Sequence, residues 1–200
     1  MNFSKKMQDY IDKKLGRDFT FRMKGELTIK CNDRIVLSQH NLIVDEGKGT
    51  VMDLLASIGV NFDYTPLPFN AIVLTKNNTS ERASDTFKES VYKSTLNQIS
   101  NEGVLHVGGS GGGQVAITHV KGALTMTVSG TLSQAFGNDS ANNHINSVCL
   151  CSGTNQLYGG PGQAAYAATG NERIFARVHC GDLVKTVDKS FSFSWLITIQ

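Results

Sequence analysis

Apolar residues recur at every second position over much of this chain, and that period marks strands. In residues 122–132, Leu124, Met126 and Val128 alternate with Thr125, Thr127 and Ser129. One face is apolar and the other polar, which predicts a half-buried strand. The last segment, 189–199, does the same with Phe191, Phe193, Trp195, Ile197 and Ile199. Residues 26–31 and 34–38 predict a hairpin turning at Asn32-Asp33, two residues that tolerate left-handed turn geometry. The second of these runs continues to Val44. Further strands are expected at 69–75, 87–99, 103–107, 114–119, 145–151 and 173–180.

Two segments follow the helical period instead. Phe3, Met7, Tyr10, Ile11 and Leu15 recur at spacings of three and four, with lysines and Asp9 on the other faces. Gly16 is placed to stop this helix. A helix of that length needs a surface to lie on, either its own domain or a neighbour. Val51, Leu54, Leu55 and Ile58 form a second stripe, with Thr50 as the expected N-cap and Gly59 as the stop. The expected fold is therefore mainly β. It is an antiparallel β-sandwich, jelly-roll or Ig-like, with a short N-terminal helix and one additional helix near 50–58. Residues 1–24 form an N-terminal helix or arm, and residues 25–200 a single β-sandwich domain with the helix inserted.

Composition sharpens this picture in one respect. Charged residues make up 18% of the chain, below the ~25% of an average domain. Residues 1–40 hold nine Lys or Arg and five Asp or Glu, whereas residues 101–170 hold only Glu102, Lys121 and Asp139. An average composition would place about seventeen charges in that stretch. A monomeric surface normally interleaves both signs, so the neutral stretch is read as core or as protein interface. The net charge of +2 gives no basic excess for nucleic acid. No apolar run approaches the ~20 residues that span a bilayer. The opening MNFSKKMQDYIDKK lacks a signal peptide's apolar core, so secretion by that route is not expected.

Chemistry-bearing motifs are weak. The run Gly108-Gly109-Ser110-Gly111-Gly112-Gly113-Gln114 is not followed by Lys-Ser/Thr or by a helix, so it does not cradle phosphate. It reads as a hairpin tip or interface loop. Cys149 and Cys151, with His179 and Cys180, could be imagined as zinc ligands, but Cys-x-Cys is not a knuckle spacing. On a strand both thiols share a face, and small apolar filling is the plainer reading. Four cysteines are no disulfide framework. His40, His106, His119, His144 and His179 match no catalytic pattern, and Asp45-Glu46 read as favouring a helix N-terminus. No cofactor or metal is implied. Residues 155–171 are neutral and Gly/Ala-rich, with Tyr158 and Tyr166, either a binding surface, sugars included, or a plain loop.

Three stretches resemble structural proteins of tailed bacteriophages. His40-Asn41-Leu42-Ile43-Val44-Asp45-Glu46-Gly47 resembles an N-x-I/V-x-x-x-G stretch that leads into an apolar helix. Ser84-Asp85-Thr86-Phe87 approximates a t-D-T-x-L-x-x-E segment. Arg173-Ile174-Phe175-Ala176-Arg177-Val178, with the terminal strand through Trp195, is similar to the ending of tail, neck and head-accessory proteins. The resemblance covers residues 40–200 and implies a non-enzymatic virion subunit in several copies. Its partners would be other virion proteins and copies of itself, without membrane or direct nucleic-acid contact. The contacts expected are Phe3, Met7, Tyr10 and Ile11 on the arm, and Gly109, Gly111, Gly113, Tyr158 and Tyr166 on the neutral loops. Arg177 is expected at a strand edge and Trp195 in the core. The alternatives are a carbohydrate-binding or receptor-contacting module and, with least support, a small hydrolase.

Overall fold

The computed structural model describes residues 23–56, 69–87, 104–106, 115–135, 143–152 and 173–199. Its elements are β1 (Met23–Cys31), β2 (Arg34–Ile43), α1 (Asp45–Ala56), β3 (Phe69–Thr75), β4 (Val104–His106), β5 (Val115–His119), β6 (Thr125–Leu132), β7 (His144–Ser152), β8 (Arg173–Val184) and β9 (Phe191–Ile199). The described strands make one sheet in the order β4-β3-β7-β8-β2-β1-β9-β6-β5. Every pairing is antiparallel. The sheet curls until β3 and β4 at one end meet β5 and β6 at the other. The protein is thus mainly β, with one nearly closed antiparallel sheet and a single described helix. The expected N-terminal helix lies outside the described residues, as do Gly59 and most of the strand expected at 87–99.

The hairpin forms where the sequence predicts it. Asn32 and Asp33 both take positive φ, 45° and 66°, as a two-residue turn matched to strand twist requires. Asn32 also staples the tip to the turn before β9. Its Oδ1 accepts from Ser190 N at 2.8 Å, and its Nδ2 donates to the Asp188 carbonyl at 3.0 Å.

β2 joins the two halves of the sheet. Its residues from Arg34 to Asn41 pair with β1, while Leu42 and Ile43 pair with Arg177 and Ala176 of β8. The concave side holds the main core. Leu27, Ile29, Phe191, Phe193, Trp195, Val128 and Leu132 meet Ile72, Leu74, Val148, Leu150, Phe175 and Val178. Each such side chain contributes about 1.5–3 kcal/mol on full burial. Trp195 is fully buried there, as the alternation predicts.

The convex side differs between the halves. Over β3, β7 and β8 a second cluster forms from Val44, Ala71, Val73, Phe87, Cys149, Cys151 and Ile174. Central strands there are buried on both faces, and this explains the unbroken apolar runs of β3 and β7. Over β1, β6 and β9 the convex side carries exposed or half-buried Lys24, Thr28, Lys30, Thr127, Ser129, Ser192 and Ser194.

The helix begins five residues before the expected 50–58. Thr50 is not its N-cap: it lies buried inside the helix, donating its hydroxyl to the Glu46 carbonyl at 3.0 Å. Val44 follows the strand, and its carbonyl accepts the first helical bond from Lys48 N at 3.1 Å. Gly47 and Gly49 lower intrinsic helix propensity and hide this first turn from the sequence. Gly47 is needed because α1 lies directly on β8. A Cβ there would fall 2.6 Å from Phe175 Cα and 2.8 Å from its carbonyl carbon.

Candidate interaction surfaces

Two polar clusters, one half-buried and one buried, fix the covered half. Glu46, in the first turn of α1, has its carboxylate aimed at the sheet. Oε2 accepts from Ile174 N at 2.8 Å and from Phe87 N at 3.1 Å. Arg173 Nε approaches its other oxygen at 4.0 Å. Asp45 N donates to the Ala83 carbonyl at 2.8 Å. One acidic residue thereby ties together the helix, the 76–87 stretch and β8.

Arg177 holds the second cluster. Its side chain is 0% exposed, and β8 lies between β7 and β2, so the expected strand-edge position is wrong. Nη1 donates to Asp85 Oδ2 at 2.8 Å. Nη2 donates to the Thr79 carbonyl at 2.6 Å and to Ser147 Oγ at 3.1 Å. Burying a guanidinium costs several kcal/mol unless its donors find partners, and here the loop and Ser147 supply them to both Nη atoms while Nε has none. The same loop reaches β8 again where Glu81 Oε1 accepts from His179 N. Residues 76–86, expected as a polar surface loop, do expose side chains such as Asn78, Ser80 and Arg82, but their backbone is pinned along its length.

Residues 40–47, 84–87 and 173–178 are far apart in sequence and meet in one place. Ile43 enters the core, Glu46 and Asp85 carry the polar ties, Gly47 permits the close approach, and Arg177 receives the loop. No spacing argument could show this convergence, because each tie joins residues 41 to 128 positions apart.

A buried lysine closes the opposite end of the molecule. Lys185 Nζ donates to the carbonyls of Thr186 at 3.0 Å and Gln134 at 3.3 Å. Asn143 and Lys185 exchange backbone and side-chain bonds of 2.8 and 2.9 Å. Sequence reading missed this site, since a lysine near a turn looks like an ordinary surface charge.

The cysteines do not gather. Cys149 and Cys151 sit in the convex cluster, Cys180 sits in the main core, and all four thiols are free. Burial pushes the Cys149 thiol up to about 12 against the opposing charge of Arg177. Burial likewise raises Cys180 to about 12. Such thiols stay protonated and are poor nucleophiles or ligands. Among the described residues no group of three or more His, Cys, Asp or Glu could hold a metal ion. His144 and Asp182 form a pair at 2.7 Å, but both side chains are about half exposed, and a surface pair of that kind binds weakly.

Exposed apolar side chains mark a different region. Val120 and Leu124, 69% and 64% exposed, flank the turn between β5 and β6, and Ile117 on β5 is 41% exposed. Among the described residues β5 pairs with β6 alone, and its other side approaches β3 and β4 where the sheet nearly closes. Beside the turn lies an apolar groove of about 240 Å³, lined by Met23, Val51, Leu124, Met126, Phe175 and Ile199 among others. The predicted contact residues Phe3, Met7, Tyr10, Ile11, Gly109, Gly111, Gly113, Tyr158 and Tyr166 all lie outside the described residues. Among the described residues no helix is long and apolar enough to cross a membrane. Comparison with family models, curated proteins and solved structures finds no match to this chain.

Proposed function

We propose that this chain is a non-enzymatic structural subunit of a tailed-phage virion, of the tail, neck, baseplate or head-accessory kind. It works in several copies, through repeated contacts with itself and other virion proteins. The observation that carries this reading is the exposed apolar pair Ile117 and Val120 at the end of β5. Apolar side chains gathered in water mark a surface that a partner chain covers. The pair belongs to the neutral stretch 101–170, where the sequence predicts an interface. The meeting of the three resemblance stretches at Glu46 and Arg177 adds support, because it makes them parts of one structural unit. In this reading the curled sheet serves as a β-sandwich whose two halves enclose one core.

Light scattering on the purified chain at several concentrations tests the proposal. A defined oligomer is expected, and Ile117→Lys should lower its mass by placing a charge on the proposed contact surface. A strictly monomeric wild-type chain that also fails to sediment with virion proteins overturns it.

A further inference from the structure

Met23, where the described residues begin, forms part of the wall of the apolar groove beside the β5–β6 turn. Val51 of α1, Leu124 and Met126 of β6 and its turn, Phe175 of β8 and Ile199 of β9 form the rest of its apolar surface. The groove therefore collects side chains from segments far apart in the chain. Leu124 is held in place by its carbonyl, which accepts from Ile199 N at 2.9 Å, yet its side chain is 64% exposed. A leucine fixed in water at the mouth of an apolar groove loses hydrophobic stabilisation that a covering residue would restore.

The 22 residues ahead of Met23 carry the complementary surface. Phe3, Met7, Tyr10, Ile11 and Leu15 make an apolar stripe at helical spacing, and seven residues, 16–22, separate the predicted helix from Met23. Seven residues reach about 23 Å when extended, and a 13-residue helix is about 20 Å long, so the segment can turn back over the groove. Because the chain leaves from the groove wall, attachment holds the segment there at roughly millimolar effective concentration. We infer that this groove is the seat of the same chain's N-terminal segment 3–15, whose apolar stripe covers Leu124, Val51 and Ile199.

This inference stands apart from the assembly reading. A monomer with a protected segment supports the docking, and an oligomer with an unprotected one overturns it. Hydrogen exchange on the full chain should show amide protection over residues 3–15. Leu124→Asp should reduce that protection by roughly tenfold or more while β7 and β8 keep theirs. Ile11→Asp should have the same effect, and both changes together no greater one. An unprotected segment in the wild type overturns the inference, as does protection indifferent to both substitutions. Pairing Tyr10→Cys with Leu124→Cys should give a cross-link within one chain. Cross-linked dimers alone would overturn docking in the same copy and place the segment in a neighbour's groove.

Discussion

The half of the sheet made by β3, β7 and β8 and the half made by β1, β6 and β9 share one core but meet the outside differently. Over β1, β6 and β9 the convex face is left to water, and hydroxyl and lysine side chains occupy it. Over β3, β7 and β8 the convex face is covered by α1 and residues 76–87, which create a second apolar cluster. Covering a sheet face brings backbone groups out of water, and each must find a partner. Glu46 and Arg177 meet that demand, taking up backbone N–H and carbonyl groups that the loop and β8 would otherwise bury unpaired. The open half needs no such devices. The comparison teaches that the charges of Glu46 and Arg177 are drawn inward by the covering of a sheet face.

The comparison is broken most sharply at Arg177. Arg177→Ala leaves Asp85 and the Thr79 carbonyl facing an empty buried site and should cost about 3–5 kcal/mol in urea denaturation. An equal loss on removing a hydroxyl from the open half would erase the contrast. Next comes the seat of the helix. Gly47→Ala drives a methyl into the Phe175 backbone and should cost about 1–3 kcal/mol. Gly49→Ala meets nothing within 4 Å and should stabilise by about 0.5–1 kcal/mol. The opposite signs, two residues apart, would confirm that α1 lies on β8 through one face.

A third test uses pH. The folded chain holds the Cys149 and Cys180 thiols up at about 12 from an ordinary 9.0. Above pH 9 the unfolded chain releases thiol protons that the folded chain keeps, so stability is full below that pH and falls as pH rises toward about 12. Urea midpoints on either side of pH 9 should show the fall, and Cys149→Ala should reduce its slope. The smallest effect belongs to the open half. Thr28→Ala and Ser194→Ala should each stay within about 0.5 kcal/mol of wild type, read by the same denaturation.

The same division governs what could be read from the chain. β6 and β9 were legible because water on one face and core on the other impose a period of two. The hairpin at Asn32-Asp33 was legible because few residues accept its left-handed turn. Strand β3 was legible as an apolar run, but not its second buried face. The first turn of α1 was hidden because Gly47 and Gly49 argue locally against a helix, and tertiary contact with Phe175 outweighs them. Arg177 looked like an edge residue because a charge within a strand usually is one. Its partners Asp85 and Thr79 lie 92 and 98 positions away, so no local pattern reveals them.

By itself the sequence determined the mainly β class, the antiparallel hairpin, the apolar face of β9 and the burial of Trp195, whereas Leu124, expected on the apolar face of 122–132, is exposed before β6 begins. Those features depend on residues within a few positions of one another, and alternation and turn chemistry report them directly. Only the tertiary structure decided that the sheet curls into one nearly closed layer, that one convex face is covered and the other open, and that Glu46, Asp85 and Arg177 meet. These follow from long-range closure of the chain, where a polar residue's cost and partners are set by what folds over it.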